Sequence, residues 1–365
     1  MVNTKIRNSV KKLFAISVSM ILYVSALPVL NCSASVTENG AEYGVSVSGE
    51  KTYLKLYNVD DTITDLVVPE YIDDKKVEEI SLSGNDTLES ITIPSSVNKI
   101  RFSRCTGLTY INVDTDNECY TSSEGILFDK SLKTLICYPQ GKTQNVLDIP
   151  EGVEVIGESA FECYSGIEEV DFPDSLKEIR QYAFFGCNIK NLVFPSGLTT
   201  IKEEAFADNY TLENVVFSEN TVHTRVLFNS CSNLKTVTFL TEDISDDPVS
   251  SDPDAAKVYY TGVLDNSMAD VTVYVPDNKI DVYKNNAGLW RNVNYEILPL
   301  SQRPADLTGD TNLDRKINVS DAVFLGSYLI NKRESVTLNA DINGDGEVNV
   351  FDMIAIRRNI ANFTE

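Results

Sequence analysis

The chain has 365 residues, 42% of them hydrophobic and 23% charged, and its 31 basic and 54 acidic side chains give a net charge of −23. That length allows two or more domains with a sizeable core. So acidic a chain does not hold nucleic acid or an anionic membrane through its overall field.

The first 34 residues carry Lys5, Arg7, Lys11 and Lys12 and no acid, which leaves 27 basic against 54 acidic side chains, a net −27, in the remainder. The apolar run Leu13 to Leu30 follows the basic stretch, and Cys32, Ser33 and Ala34 follow the run. This is the pattern of a secretory signal peptide over residues 1–34, cut after Ala34. An uncleaved anchor is the alternative, because 18 apolar residues nearly span a bilayer. Pro28 and the small-residue site favour cleavage, and Asn31 is bulkier than a lipoprotein site before Cys32 would need. The expectation is a secreted protein in an extracellular or cell-surface complex, without stable membrane insertion after cleavage.

Residues 35–76 are expected to form an N-terminal capping region, since Tyr43 to Val59 alternates apolar and polar residues as a hairpin does. Residues 77–298 hold repeats of the form L-x-x-L-x-L. They read Leu88-Ile91-Ile93, Leu108-Ile111-Val113, Ile167-Val170-Phe172, Ile189-Leu192-Phe194, Leu212-Val215-Phe217 and Leu234-Val237-Phe239, with steps of 22, 23 and 22 residues from Ile167 onward. A second leg follows as Val153-Ile156, Leu176-Ile179 and Leu198-Ile201, then Ala160-Phe161, Ala183-Phe184 and Ala205-Phe206, with Leu227-Phe228 as a variant. Pro94, Pro150, Pro173 and Pro195 close the first strand of their coils. One such coil cannot bury its apolar side alone, and stacking buries a continuous core, so the fold class is a β-rich leucine-rich-repeat solenoid.

Six cysteines remain after cleavage (Cys105, Cys119, Cys137, Cys163, Cys187 and Cys231), and four recur at one position of the repeat. They read as buried thiols in a column, where cysteine acts as a small hydrophobe. Stacked neighbours pairing under oxidising conditions is the lesser alternative. Outward positions of the first strand include Glu89, Thr92, Asn112, Glu168, Glu169, Asp171, Lys190, Glu213 and Lys235, and Tyr110 is the aromatic among them. That is a solvated polar face rather than a row of sugar-stacking platforms.

The register resembles the BspA-like leucine-rich repeat of bacterial surface proteins, over about residues 60–298. The resemblance implies a hairpin insertion at Ser122 to Lys142 and a closing strand and helix in Val271 to Trp290. The acidic stretch Thr241 to Lys257 matches no cation-loop spacing and reads as a solvated insertion.

Residues 299–305 form a linker, and 306–365 differ in composition. Here stand two loops 31 residues apart, "DTNLDRKINVSD" (Asp310 to Asp321) and "DINGDGEVNVFD" (Asp341 to Asp352). Each places oxygen-bearing side chains at loop positions 1, 3, 5, 9 and 12, the supply a hard cation such as Ca²⁺ needs. Two ions are expected. Loop 1 would use Asp310, Asn312, Asp314, the Lys316 carbonyl, Asn318 and Asp321; loop 2 would use Asp341, Asn343, Asp345, the Glu347 carbonyl, Asn349 and Asp352. The apolar stripe Ala322, Leu325 and Leu329 follows the first loop, and Met353, Ile356 and Ile360 follow the second, so the two helices can pack as a small α-helical core. A unit of that size buries little surface, so the cation contributes to folding.

A duplicated loop-then-helix with Asp at position 12 resembles a type I dockerin, over Asp306 to about Phe363. The resemblance implies docking onto a cohesin domain of a scaffoldin, as in cellulosomes. It assigns partner contact to Val319, Ser320, Gly326 and Ser327 in the first half and to Val350, Phe351, Arg357 and Arg358 in the second. Position 6 is Arg315 in loop 1 and Gly346 in loop 2. That position commonly needs a left-handed backbone, which costs about 1–2 kcal/mol for a residue with a Cβ. Site 1 is therefore expected to bind more weakly than site 2, and the unequal contact residues imply one dominant docking orientation through the second half.

The reading is a secreted non-catalytic component of a polysaccharide-degrading or cell-surface complex, in which the repeats bind a protein or polysaccharide. Two alternatives stay open: a dockerin-bearing glycoside hydrolase, which needs two carboxylates about 5–10 Å apart across a cleft, and an adhesin for a host or cell surface. The repeats and caps leave little chain for a separate catalytic domain. His223, the one histidine, has no nucleophile motif beside it.

Overall fold

The structure, a computed structural model, describes residues 35–49, 51–143, 146–218, 222–223, 227–241, 271–285, 295–303, 310–313, 319–330, 340–342 and 347–363; the side chains of 222, 223, 319, 320, 327 and 358–363 lie outside that description. The segment expected to be a signal peptide and most of the acidic stretch lie outside the described residues.

Three antiparallel strands open the chain, Ser35–Glu38, Ala41–Ser48 and Lys51–Val59. The first turn is Asn39-Gly40, with φ of 51° and 76°, the left-handed pair that a two-residue hairpin requires. The expected hairpin is thus a three-stranded meander. Its last strand pairs in parallel with Lys75–Ser83, which pairs in parallel with Lys99–Ser103. A separate parallel sheet joins Asp65–Val67, Ser90–Ile93 and Tyr110–Val113.

The insertion folds as strands Tyr120–Ser123, Ile126–Asp129 and Thr134–Cys137, with Glu124 and Gly125 at positive φ in the first turn. Its third strand starts a parallel ladder through Val155–Ile156, Glu178–Ile179, Thr200–Ile201 and Val222–His223. The opposite wall is a seven-stranded parallel sheet: Val146–Asp148, Glu169–Asp171, Asn191–Val193, Asn214–Phe217, Thr236–Phe239, Thr272–Val275 and Glu296–Pro299. The carbonyls of Pro150, Pro173 and Pro195 accept the N–H three residues on, so each proline turns the chain out of one wall toward the other. Helix α1, Ile280–Asn285, follows the sixth strand of that sheet.

Inside, the core divides into two clusters that meet at the insertion. Leu127 belongs to the N-terminal cluster, and its neighbours Ile126 and Phe128 belong to the C-terminal one, because successive strand residues face opposite ways. The second cluster is built on aromatic columns. Phe161, Phe184 and Phe206 stack at 4.7 and 5.1 Å with planes within 5°. Tyr138 of the insertion starts that column at 5.3 Å from Phe161. A second column runs Phe172, Phe194, Phe217 and Phe239, and Tyr283 of α1 closes it at 5.6 Å from Phe239.

The six described cysteines are free thiols; Cys105, Cys187 and Cys231 are buried, Cys137 and Cys163 half-buried and Cys119 exposed. Within the column, the thiols of Cys187 and Cys231 donate to the carbonyls of Phe161 and Phe206 in the preceding coil, at 3.2 and 3.3 Å. Asn209 takes the place between them and donates to the Phe184 carbonyl at 2.8 Å. Cysteine and asparagine here do one job, donating from one coil to a phenylalanine carbonyl of the coil before it.

Along the outer face, charges pair from coil to coil: Lys190 with Glu168 and Lys235 with Glu213, at 2.7 and 2.8 Å. Lys133 and Lys177 both donate to Glu154, at 2.6 and 2.7 Å, and hold its carboxyl down to about 2. Next to the pairs runs a polar ladder in register, in which Asn214 donates to Asn191 at 2.8 Å and accepts from Thr236 at 2.7 Å. The expected polar face fails one row further along. Val193, Val216, Thr238, Tyr274 and Leu298 align across five strands at outward positions. Val216, Thr238 and Tyr274 in that row are buried.

What covers this row is the C-terminal module. Helix α2 spans Val319–Leu329 and helix α3 spans Val350–Phe363. Ala322 and Leu325 of α2 meet Ile356 and Met353 of α3, and the same apolar cluster contains Val216, Leu240, Tyr274 and Leu300. The stretch after the last strand is pinned as well: residues 300–302 make a 3-10 turn, the Ser301 N–H donates to Asp277, and buried Arg303 donates through Nε to Thr238 at 3.0 Å. No helix among the described residues is long and apolar enough to cross a membrane.

Candidate functional site

The two loops place their last carboxylate in the first turn of a helix, and they do it in the same way. In loop 1, Asp321 lies in the first turn of α2, and its Oδ1 accepts the N–H groups of Thr311 and Asn312 at 2.8 and 3.3 Å. The Thr311 hydroxyl donates to the Asp321 carbonyl at 2.8 Å. In loop 2, Asp352 Oδ1 accepts the N–H of Ile342 at 2.8 Å. Thr311 and Ile342 are both position 2, so each loop is closed by its position-12 carboxylate gripping the backbone beside position 1. The positive end of the helix favours a carboxylate there.

Asn349 has a role that the metal-loop pattern did not show. Its Oδ1 accepts the Phe351 N–H at 2.8 Å, while Asp352 Oδ2 accepts the Asn349 N–H at 2.8 Å. Together they form a reciprocal cap on α3. The sequence signal was present as Asn-x-x-Asp ahead of an apolar run. The Glu347 carbonyl accepts from Asn349 Nδ2 at 3.5 Å.

Among the expected ligands, Asp310, Asn312, Asp321, Asp341, Glu347, Asn349 and Asp352 are described, whereas Asp314, Lys316, Asn318, Asn343 and Asp345 lie outside the described residues, as do Arg315 and Gly346. Among the described residues no three acidic, cysteine or histidine side chains converge as a ligand set. The donors present nonetheless fit a hard cation. Every described side-chain donor is an oxygen, and Asp310, Asp321 and Asp352 are only 1%, 0% and 0% exposed. Burying an ionised carboxylate is costly without a compensating cation or donors.

The expected partner contacts divide by half. On α3, Val350 and Phe351 are 57% and 64% exposed, and Ile354 and Arg357 are exposed with them. On α2, Gly326 is half-buried, and a Cβ built on it would lie 3.0 Å from Met353 Cε of α3. The side chains of Val319, Ser320, Ser327 and Arg358 lie outside the description.

The profile of the "BspA type Leucine rich repeat region (6 copies)" matches residues 57–144 and 136–247. The chain belongs to the BspA-type leucine-rich-repeat family. The "Dockerin type I domain" profile matches residues 308–361 of this repeat protein, so the module that carries the two loops is a type I dockerin, a calcium-binding, cohesin-binding kind of unit. Both are binding modules, and neither profile is that of a catalytic domain. No curated protein matches the sequence.

Solved structures similar to this chain are bacterial leucine-rich-repeat proteins. One from Eubacterium ventriosum is 16% identical with a TM-score of 0.39, covering 56% of this chain and 78% of its own. The pneumococcal vaccine antigen PcpA is 16% identical with a TM-score of 0.39, covering 73% of this chain and 98% of its own. A leucine-rich cell surface protein from Faecalibacterium prausnitzii is 13% identical with a TM-score of 0.30, covering 77% and 97%.

Proposed function

We propose that this BspA-type repeat protein is a secreted, non-catalytic component of a cellulosome-type assembly. Its dockerin docks, with two calcium ions bound, onto a cohesin of a scaffoldin, and its solenoid brings a protein or polysaccharide ligand to the complex. The dockerin match over residues 308–361 carries this reading. Buried carboxylates at positions 1 and 12 and the exposed group Val350, Phe351, Ile354 and Arg357 support it. Bound calcium would neutralise the carboxylates and fix the loops. Asp310, Asn312 and Asp321 would hold one ion and Asp341 and Asp352 the other, while Asn349 caps α3 between the loop and the contact face.

The test is capture of the full chain on a panel of immobilised type I cohesin domains. Binding in calcium, lost in EGTA and lowered about 100-fold by Phe351→Asp with Arg357→Ala, is the expected result for a docking face centred on α3. No binding to any cohesin in calcium would overturn the reading. Once captured, the same chain exposes its repeats to cell-wall polysaccharides and secreted proteins, and retention of one class names the solenoid's ligand.

A further inference from the structure

The apolar outward row on the last coils has no counterpart upstream, where the Glu169–Asn191 register places Asp171, aligned in turn with Asp148, at the row's position beside Val193. Bare apolar surface of that kind on a soluble solenoid marks a contact. Here the contact is made within the chain. Val216, Leu240, Tyr274 and Leu300 share one cluster with Leu313, Phe324 and the helix-helix core of the dockerin.

Two features identify the half that is seated. Leu313, at position 4 of loop 1, is buried and held at φ 62°, a left-handed conformation that a residue with a Cβ adopts at a cost. Loop 2 has Gly344 at that position, free of both the cost and the side chain. Phe324 lies off the stripe that packs α2 on α3, yet it is buried, while the exposed apolar residues of α3 sit near its N-terminus. Arg303, donating to Thr238 in the middle of the row, ties down the connection between the modules.

We infer that the last coils of the solenoid are a seat for the first half of the chain's own dockerin. The seat joins both modules into one body and leaves the α3 face to take the cohesin. The second clause rests on the proposed cohesin docking; the first does not. Seating holds Leu313 and Phe324 of the first half against the last coils, a packing ground for one orientation beside the unequal contact residues of the two halves.

The test uses the full chain in calcium, with Val216→Lys and Tyr274→Glu placing charges in the row while Val215 and Val273 keep the core. Hydrogen exchange is expected to rise about tenfold or more in α2 and residues 300–303, with protection kept in strands Asn191–Val193 and Asn214–Phe217. Unchanged exchange in α2 would overturn the seat. On the cohesin panel, Phe351→Asp with Arg357→Ala should lower capture of the otherwise wild-type chain about 100-fold but cost less than about tenfold when the seat is broken, since the freed first half then docks. Equal loss in both backgrounds would overturn the orientation claim and leave cohesin docking standing. A chain that binds no cohesin, yet loosens α2 when the row is charged, would support the seat and sink the cohesin reading instead.

Discussion

Replacing Phe184 by alanine removes the centre of the aromatic column. The ring is fully buried, stacked on Phe161 at 4.7 Å and Phe206 at 5.1 Å, and edge-on to Phe172 at 5.8 Å. Truncating a buried phenylalanine costs about 3–5 kcal/mol, and each aromatic pair adds about 0.5–1.5 kcal/mol beyond area. Three ring partners, two of them in turns that are bonded backbone to backbone with this coil and cannot close the gap, put the loss near the top of that range, at about 4–5 kcal/mol. Coils contact only their neighbours, so the loss should fall on the cluster running from Ile126 to Ile297 and spare the one running from Ala41 to Leu127. Urea denaturation gives the magnitude, and hydrogen exchange in the same sample gives the place. A loss below about 2 kcal/mol would refute the packing argument. Equal loss of protection in strands Lys51–Val59 and Glu178–Ile179 would refute the two-cluster argument.

Asp352→Asn keeps the shape of the closing side chain but leaves it one oxygen for two N–H donors, at about 1–3 kcal/mol, and removes helix-end charge worth about 0.3–1 kcal/mol. Helical circular dichroism should show a lower melting point even in EGTA, and a wild-type melt there would contradict the bonds to Ile342 and Asn349. Calorimetry on Asp352→Asn and Asp321→Asn should show the larger loss of calcium affinity at Asp352, because loop 2 is the expected stronger site; equal losses would contradict the inequality. Glu154, held down to about 2 by Lys133 and then Lys177, has a folded pKa below its ordinary 4.5. Its contribution is therefore complete above about 4.5 and lost as pH falls through about 2. Glu154→Gln should flatten the melting-point curve across that window, by an amount that salt reduces because the pair is exposed; parallel curves for the two proteins would contradict it.

Period and spacing made the solenoid legible, because an apolar residue at each L-x-x-L-x-L position has the same destination in every coil. They made the dockerin legible too, since ligand positions and helix stripes are local. The outward row was not legible. Val193, Val216, Tyr274 and Leu298 are single residues in separate strands, and they become one surface only when the register lines them up. The strand Glu296–Pro299 escaped notice because four residues carry too little alternation, and it closes the wall only by pairing with Thr272–Val275. Asn349 illustrates a different limit. One oxygen-bearing side chain fits both a metal loop and a helix cap, and only the donors around it decide which bonds it makes.

Parallel stacking at 22 or 23 residues per coil has a consequence for reach. Each added coil displaces one end of the solenoid from the other by one strand spacing, about 4.8 Å, without altering either end. The dockerin sits on the last coils, so the dockerin-bearing terminus is indifferent to coil number. Duplication or loss of a repeat would then work as a ruler. It would set how far from the dockerin the meander-capped tip stands, in fixed increments, while the dockerin end stays the same.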